Sequence, residues 1–166
     1  MLLIEKVLTL QCSEIFHNTP EAELVELAGV LQEVYLKPEQ ELFRRGDVGD
    51  SMYFIYKGKV RIHDNGHTLA VLEENDILGE LSILDAETRS ACATTLEETI
   101  LLRLEQEPFY EIMLQNAEVL KGILKTLCSR LRTMDSEMVT IKGSTTVITP
   151  AVQTADVPMS IPQDVL

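Results

Sequence analysis

The run SMYFIYKGKVRIHDNGHTLAVLEE, Ser51 to Glu74, decides the fold. It divides into three short stretches with the period of strands, separated by Lys57-Gly58 and by Asp64-Asn65-Gly66. Asn65-Gly66 marks a hairpin, because the tight primed turn that matches strand twist needs residues tolerant of positive φ. Working outward, EVYL, PEQE, LFRR and GDVGD precede this run from Glu33 onward, and a strand-like IL, then SACATT and ETILLRLE, follow it. The pattern amounts to roughly eight short strands, which is a jelly roll or a small barrel.

Helical spacing flanks the strands on both sides. Leu3, Ile4, Val7 and Leu8 predict one short helix, and a cap at Asn18-Thr19-Pro20-Glu21 leads into a second through Leu24, Leu27, Ala28 and Leu31. After the strands, Pro108 suits a first turn, with Phe109, Ile112 and Met113 on one face. A longer helix from about Asn116 sets Leu120, Leu124, Leu127, Leu131, Met134 and Met138 at spacings of four and three. That stripe either covers the barrel or forms a homodimer seam through Leu120, Leu124, Leu127, Leu131 and Met134. Beyond Val139 the chain turns rich in Thr, Val and Pro. The expected organisation is therefore mainly β with flanking α-helices: an eight-stranded jelly roll with N-terminal helices and a C-terminal helix pair over 1–138, and an irregular tail over 139–166.

At 166 residues, the chain has 27 acidic and 14 basic residues and a net charge of -13. Such a field repels phosphate backbones and anionic headgroups, and no basic patch opposes it, so neither nucleic-acid binding nor membrane insertion is expected. Cys12, Cys92 and Cys128 lack the paired spacing of zinc sites or disulfide frameworks, which points to a reducing, cytoplasmic setting. The apolar start is interrupted by Glu5 and Lys6, and no run of about 18 apolar residues occurs. His63 and His67 flank the hairpin turn without a third ligand, and Ser82 lies in ELSIL without elbow glycines or an adjacent base, so neither a metal site nor nucleophilic catalysis is predicted. Asp47 and Asp50 of GDVGD read as turn formers.

Chemistry concentrates in GELSILDAETRSA, Gly79 to Ala91. A short helical turn starting at Gly79 would open backbone amides to an anion, and Arg89 would add a planar fork for two phosphate oxygens, with Ser90 beside it. Glu80 accepts but does not donate when ionised, so beside a phosphate it suits a donor on the same ligand, such as a ribose hydroxyl, or an ion pair with Arg89. Together these groups suggest a nucleotide whose sugar and phosphate lie close together.

This stretch resembles the phosphate-binding cassette of cyclic nucleotide-binding domains, of the kind found in cAMP receptor proteins and protein kinase regulatory subunits. Two motifs carry the resemblance: GELS with RSA placed nine positions after the Glu, and RRGDVGDSMYFIYKGKVRI, Arg44 to Ile62, similar to the family's GDxGDxxYxIxxGxV run. It covers about 130 residues, Met1 to Met138. The resemblance implies a regulatory module, not an enzyme, with no cofactor and cAMP or cGMP as its ligand, cAMP being favoured. It implies that Gly79, Glu80, Leu81, Ser82, Arg89, Ser90 and Ala91 form the ligand site, with Glu80 on the ribose 2′-hydroxyl and Arg89 on the cyclic phosphate. It also implies that C-terminal helices move on binding and that Met134 and Asp135 lie near the base. A larger effector protein is an implied partner. The pattern departs from the family at Thr88, where a proline is frequent, at Ser82, where Ala or Gly is usual, and at Lys37-Pro38-Glu39-Gln40, which lacks a glycine. The competing reading is a degenerate, non-binding jelly roll that serves as an interaction or dimerisation scaffold.

Overall fold

The structure, a computed structural model, describes residues 1–85 and 87–115, together with 117, 120–125, 127–129 and 132. Met1–Arg130 forms one compact unit. Helices α1 (Leu3–Cys12) and α2 (Glu21–Val30) precede strands β1 (Gln32–Leu36), β2 (Glu41–Phe43), β3 (Ser51–Lys57), β4 (Val60–Asp64), β5 (His67–Leu72) and β6 (Ile77–Leu78). The short helix α3 (Glu80–Asp85) then leads to β7 (Cys92–Thr95), β8 (Thr99–Glu105) and α4 (Gln106–Gln115). The strands form two four-stranded antiparallel sheets, ordered β1-β8-β3-β6 and β2-β7-β4-β5. This is the eight-stranded jelly roll with flanking helices.

Strand β3 shows why so apolar a run is needed, since its alternate side chains enter two different cores. Met52 and Phe54 face a cluster built with Leu10, Phe16, Leu24, Leu27, Phe109 and Ile112 from the helices. Tyr53 and Ile55 face the space between the sheets, with Leu36, Val60, Leu78, Ala93 and Leu101. Strand β8 divides similarly, with Leu102 and Leu104 toward the helices and Leu101 between the sheets. The Asn65-Gly66 hairpin forms as expected between β4 and β5, with φ of 48° and 81° at its two turn residues.

One local expectation needs correction, and two local features gain detail. No side chain caps α2: Pro20 holds the N-cap, its carbonyl accepts from the Leu24 amide at 3.2 Å, and the Thr19 hydroxyl is buried without a hydrogen-bond partner. The turn that lacks glycine is closed by Glu39 in the left-handed region, φ 56°. Buried Thr95 clamps that turn: its carbonyl accepts from the Glu39 amide at 2.9 Å, and its hydroxyl accepts from the Gln40 amide at 2.9 Å. The C-terminal stripe is split. Residues 120–125 and 127–129 are helical, but Ile123 and Leu127 pack on the helix-facing core while Leu120 and Leu124 stand exposed. Leu131, Met134, Asp135 and Met138, and the tail 139–166, lie outside the described residues.

Candidate functional site

Helix α3 follows β6 through Gly79, whose φ of 78° is one that side-chain-bearing residues avoid. A Cβ there would stand 2.2 Å from Arg89 Nη1, so the glycine is also the space into which the arginine fits. Arg89 is only 4% exposed. Its Nη2 donates to the Ser51 carbonyl at 2.7 Å and to Ser51 Oγ at 3.3 Å, and its Nη1 donates to the Gly79 carbonyl at 3.4 Å. The guanidinium carbon lies 4.3 Å from the centroid of the Phe43 ring and 5.9 Å from that of Tyr53. The Nε–H is buried and has no hydrogen-bond partner. Burial lowers the Arg89 pKa below its ordinary value, with Tyr53 and Asp50 opposing that shift. A guanidinium titrates so high that it remains charged at neutral pH.

The two sequence motifs prove to be parts of one construction. The Gly46 amide donates to the Arg89 carbonyl at 2.8 Å, and the Arg89 amide donates to the Asp47 carbonyl at 2.8 Å. Val48 bridges to Thr88, so the GDVGD loop runs beside the arginine as a short stretch of ladder. Gly49 permits the contact with α3, because a Cβ on it would lie 2.2 Å from Ser82 Cβ and 2.7 Å from the Glu87 carbonyl. Asp47 makes the expected turn, its carboxylate accepting from the Arg44 amide at 2.8 Å. Asp50 does more than turn the chain: its carboxylate accepts from Ser51 Oγ at 3.0 Å and faces Arg103 at 3.6 Å.

A cavity of about 250 Å³ opens in front of the arginine, lined by Gly79, Glu80, Ser82, Arg89, Ser90 and Ala91 and by Phe43, Ile62, Leu72, Ile77 and Leu78. Six of the seven predicted ligand residues therefore meet at one place; the side chain of the seventh, Leu81, lies outside what the structure describes. The volume is slightly below the roughly 300 Å³ at which small-molecule sites usually begin. It suits a compact anionic group with an apolar wall opposite. Phe43 and Ser51 were not anticipated from the sequence, since they lie 46 and 38 positions from Arg89 and only the sheet pairing brings them near. His63, away from the cavity, is hydrogen-bonded through Nε2 to Thr94 Oγ1 at 2.8 Å. Among the described residues no helix is long and apolar enough to cross a membrane.

The family profile described as the cyclic nucleotide-binding domain matches residues 33–116, the span from β1 through α4 that contains every group just described. The chain belongs to the cyclic nucleotide-binding domain family. Within that family it is 35% identical over 132 residues to the cyclic AMP receptor protein of Thermus thermophilus, covering 76% of this chain and 61% of that protein. It is 27% identical over 129 residues to the CRP-like cAMP-activated global transcriptional regulator of Mycobacterium tuberculosis, covering 75% and 58%. The crystal structure of the N-terminal domain of a transcriptional regulator from Streptomyces coelicolor superposes with a TM-score of 0.72 at 30% identity, covering 78% of this chain and 94% of that one. The chain thus spans about three fifths of the length of the two curated relatives and nearly all of the isolated domain. It is a cyclic nucleotide-binding regulatory domain.

Proposed function

We propose that this domain senses cAMP in preference to cGMP and reports binding through its C-terminal helices. One observation carries the reading: a buried guanidinium, fixed on two backbone carbonyls and with its Nε–H unpartnered, belongs to an arginine that lines a cavity of about 250 Å³. A buried donor without an acceptor costs free energy, and a phosphate oxygen would relieve that cost with a charge-assisted bond. On this reading Arg89 takes the cyclic phosphate with Ser90 and Ala91 at its side, and Glu80 accepts from the ribose 2′-hydroxyl. Ser82 and Gly79 line the sugar, and Leu81 is the remaining member of the proposed ligand set. The cavity accommodates the sugar and phosphate and leaves the base at its mouth, where Met134 and Asp135 are proposed to cover it. The names of the Thermus and Mycobacterium relatives, both of which refer to cAMP, support the base preference.

The proposed output begins at α4. The Gln106 amide donates to the Asp50 carbonyl at 2.8 Å, while its side-chain amide donates to the Ile83 carbonyl at 3.0 Å. Tyr110 Oη donates to the Leu84 carbonyl at 2.7 Å. The first turns of α4 thus hold both the GDVGD loop and the end of α3, the two walls of the phosphate site, so a shift of either would be felt by the helix. The module performs no chemistry of its own, and the effector it serves is a larger protein. Two relatives are named as transcriptional regulators or receptors, so the exclusion of nucleic acid read from net charge is kept for this domain's own surface and not for a protein containing it. Exposed Leu120 and Leu124, at 40% and 51%, support a homodimer. Light scattering of the chain against one carrying Leu120→Glu and Leu124→Glu tests this, and equal masses would contradict it.

Displacement of a fluorescent cyclic nucleotide by cAMP, cGMP and AMP tests the ligand. The expected order is cAMP, then cGMP, with AMP at least tenfold weaker than either. Stronger displacement by cGMP would overturn the base preference, and parity of AMP with cAMP would overturn recognition of the cyclic phosphate.

A further inference from the structure

Carbonyls grip only one edge of the Arg89 guanidinium; its face is occupied by an aromatic ring. Phe43 stands at the end of β2 after a bulge in the β2–β7 register, which turns its ring into the cavity below the arginine. The guanidinium carbon is 4.3 Å from the ring centroid, within the range of a cation–π contact, and Tyr53 flanks both groups, 5.9 Å from the guanidinium carbon and 6.2 Å from the Phe43 centroid. The hydrogen bonds from Nη1 and Nη2 restrain rotation within the guanidinium plane, but the bond to Gly79 is long at 3.4 Å and neither restrains tilt out of that plane. The ring supplies what they lack. An aromatic ring against the guanidinium limits how far the cation can tilt, and so narrows the directions in which Nε–H can point.

We infer that Phe43 is a positioning residue of the nucleotide site, an aromatic platform that holds Arg89 in its phosphate-ready orientation before the ligand arrives. The inference rests on the functional reading above and adds to it a residue remote in sequence from the cassette. Its energetic basis is preorganisation: without the ring the guanidinium samples tilted orientations, and binding must restore the productive one at a cost in affinity. Leucine fills most of the same apolar space and offers no π face, so it separates platform from packing. Tyrosine and tryptophan keep the face.

The test is titration calorimetry of the full chain with cAMP, using wild type, Phe43→Leu, Phe43→Tyr, Arg89→Lys and the Phe43→Leu/Arg89→Lys double variant. We expect Phe43→Leu to weaken binding roughly tenfold, in the range of a desolvated cation–π contact, and Phe43→Tyr to restore it to within about threefold. The double variant should lose less than the product of the single losses, because a lysine ammonium has no planar fork for the ring to orient. Unchanged affinity in Phe43→Leu would overturn the inference. Equal weakening in Phe43→Leu and Phe43→Tyr, with multiplicative losses in the double variant, would assign Phe43 to packing alone and overturn it as well. If wild type bound no cyclic nucleotide, the functional reading would fail, and the side-chain Nε–H resonance of Arg89 in the free protein would decide this inference separately. A ring-current shift that disappears in Phe43→Leu supports the platform; an identical resonance in the two proteins refutes it.

Discussion

At position 79 a single methyl group would meet Arg89 Nη1 at 2.2 Å, on a backbone whose φ of 78° already disfavours it. Gly79→Ala should therefore displace the guanidinium from the carbonyls of Ser51 and Gly79, weakening cyclic-nucleotide binding more than tenfold and destabilising the domain by about 1–3 kcal/mol. Calorimetry and chemical denaturation check the two effects, and wild-type affinity in this variant would show that the arginine does not need its present seat. Glu39 poses the opposite case. It occupies the left-handed region, φ 56°, which costs a side-chain-bearing residue about 1–2 kcal/mol. Glycine adopts this φ without strain, but only part of the cost is recovered because glycine loses more entropy on folding. Glu39→Gly should raise the melting temperature by roughly 2–4 °C, and a lowered melting temperature would mean that the Thr95 clamp needs the Glu39 side chain.

Among the elements, α4 is tied to both walls of the proposed phosphate site, through Gln106 to Asp50 and Ile83 and through Tyr110 to Leu84. A Gln106→Leu/Tyr110→Phe variant removes two side-chain hydrogen bonds, each worth about 0.5–1.5 kcal/mol, and leaves the cavity lining intact. We expect cAMP affinity to stay within about threefold of wild type while ligand-dependent protection of α4 amides from hydrogen exchange is lost. Protection identical to wild type would place transmission elsewhere. The strands themselves were legible in the sequence because their two-residue period and turn residues are local signals, and the split loyalty of β3 explains why SMYFIY is apolar throughout. What connects elements was not legible. Gly49 reads as a turn residue, yet its lack of a side chain is what admits Ser82 of α3. Phe43 reads as an ordinary strand residue, and nothing near it in sequence reveals that Arg89 rests on its face. The heptad spacing of Leu120, Leu124 and Leu127 was visible as well, but a period cannot tell which residues a neighbouring core will claim, and the core claims Ile123 and Leu127.

For the molecule as a whole, a net charge of -13 accompanies a site proposed to take an anion. The long-range field opposes the ligand while the buried guanidinium attracts it at short range, where salt screens little. Raising ionic strength should therefore leave affinity nearly constant and speed association about twofold, the reverse of a protein that binds phosphates through exposed basic residues. Stopped-flow binding across a salt series checks this, and a tenfold loss of affinity with salt would show that exposed cations carry the binding. The central claim is that one buried arginine makes this jelly roll a cyclic-nucleotide sensor. Its most direct test is calorimetric titration of cAMP into ligand-free wild-type protein and into Arg89→Ala. Micromolar or tighter binding in the wild type, weakened by about 3 kcal/mol or roughly a hundredfold in the variant, is the predicted result, whereas equal affinity in the two proteins, or no binding by the wild type, would contradict it.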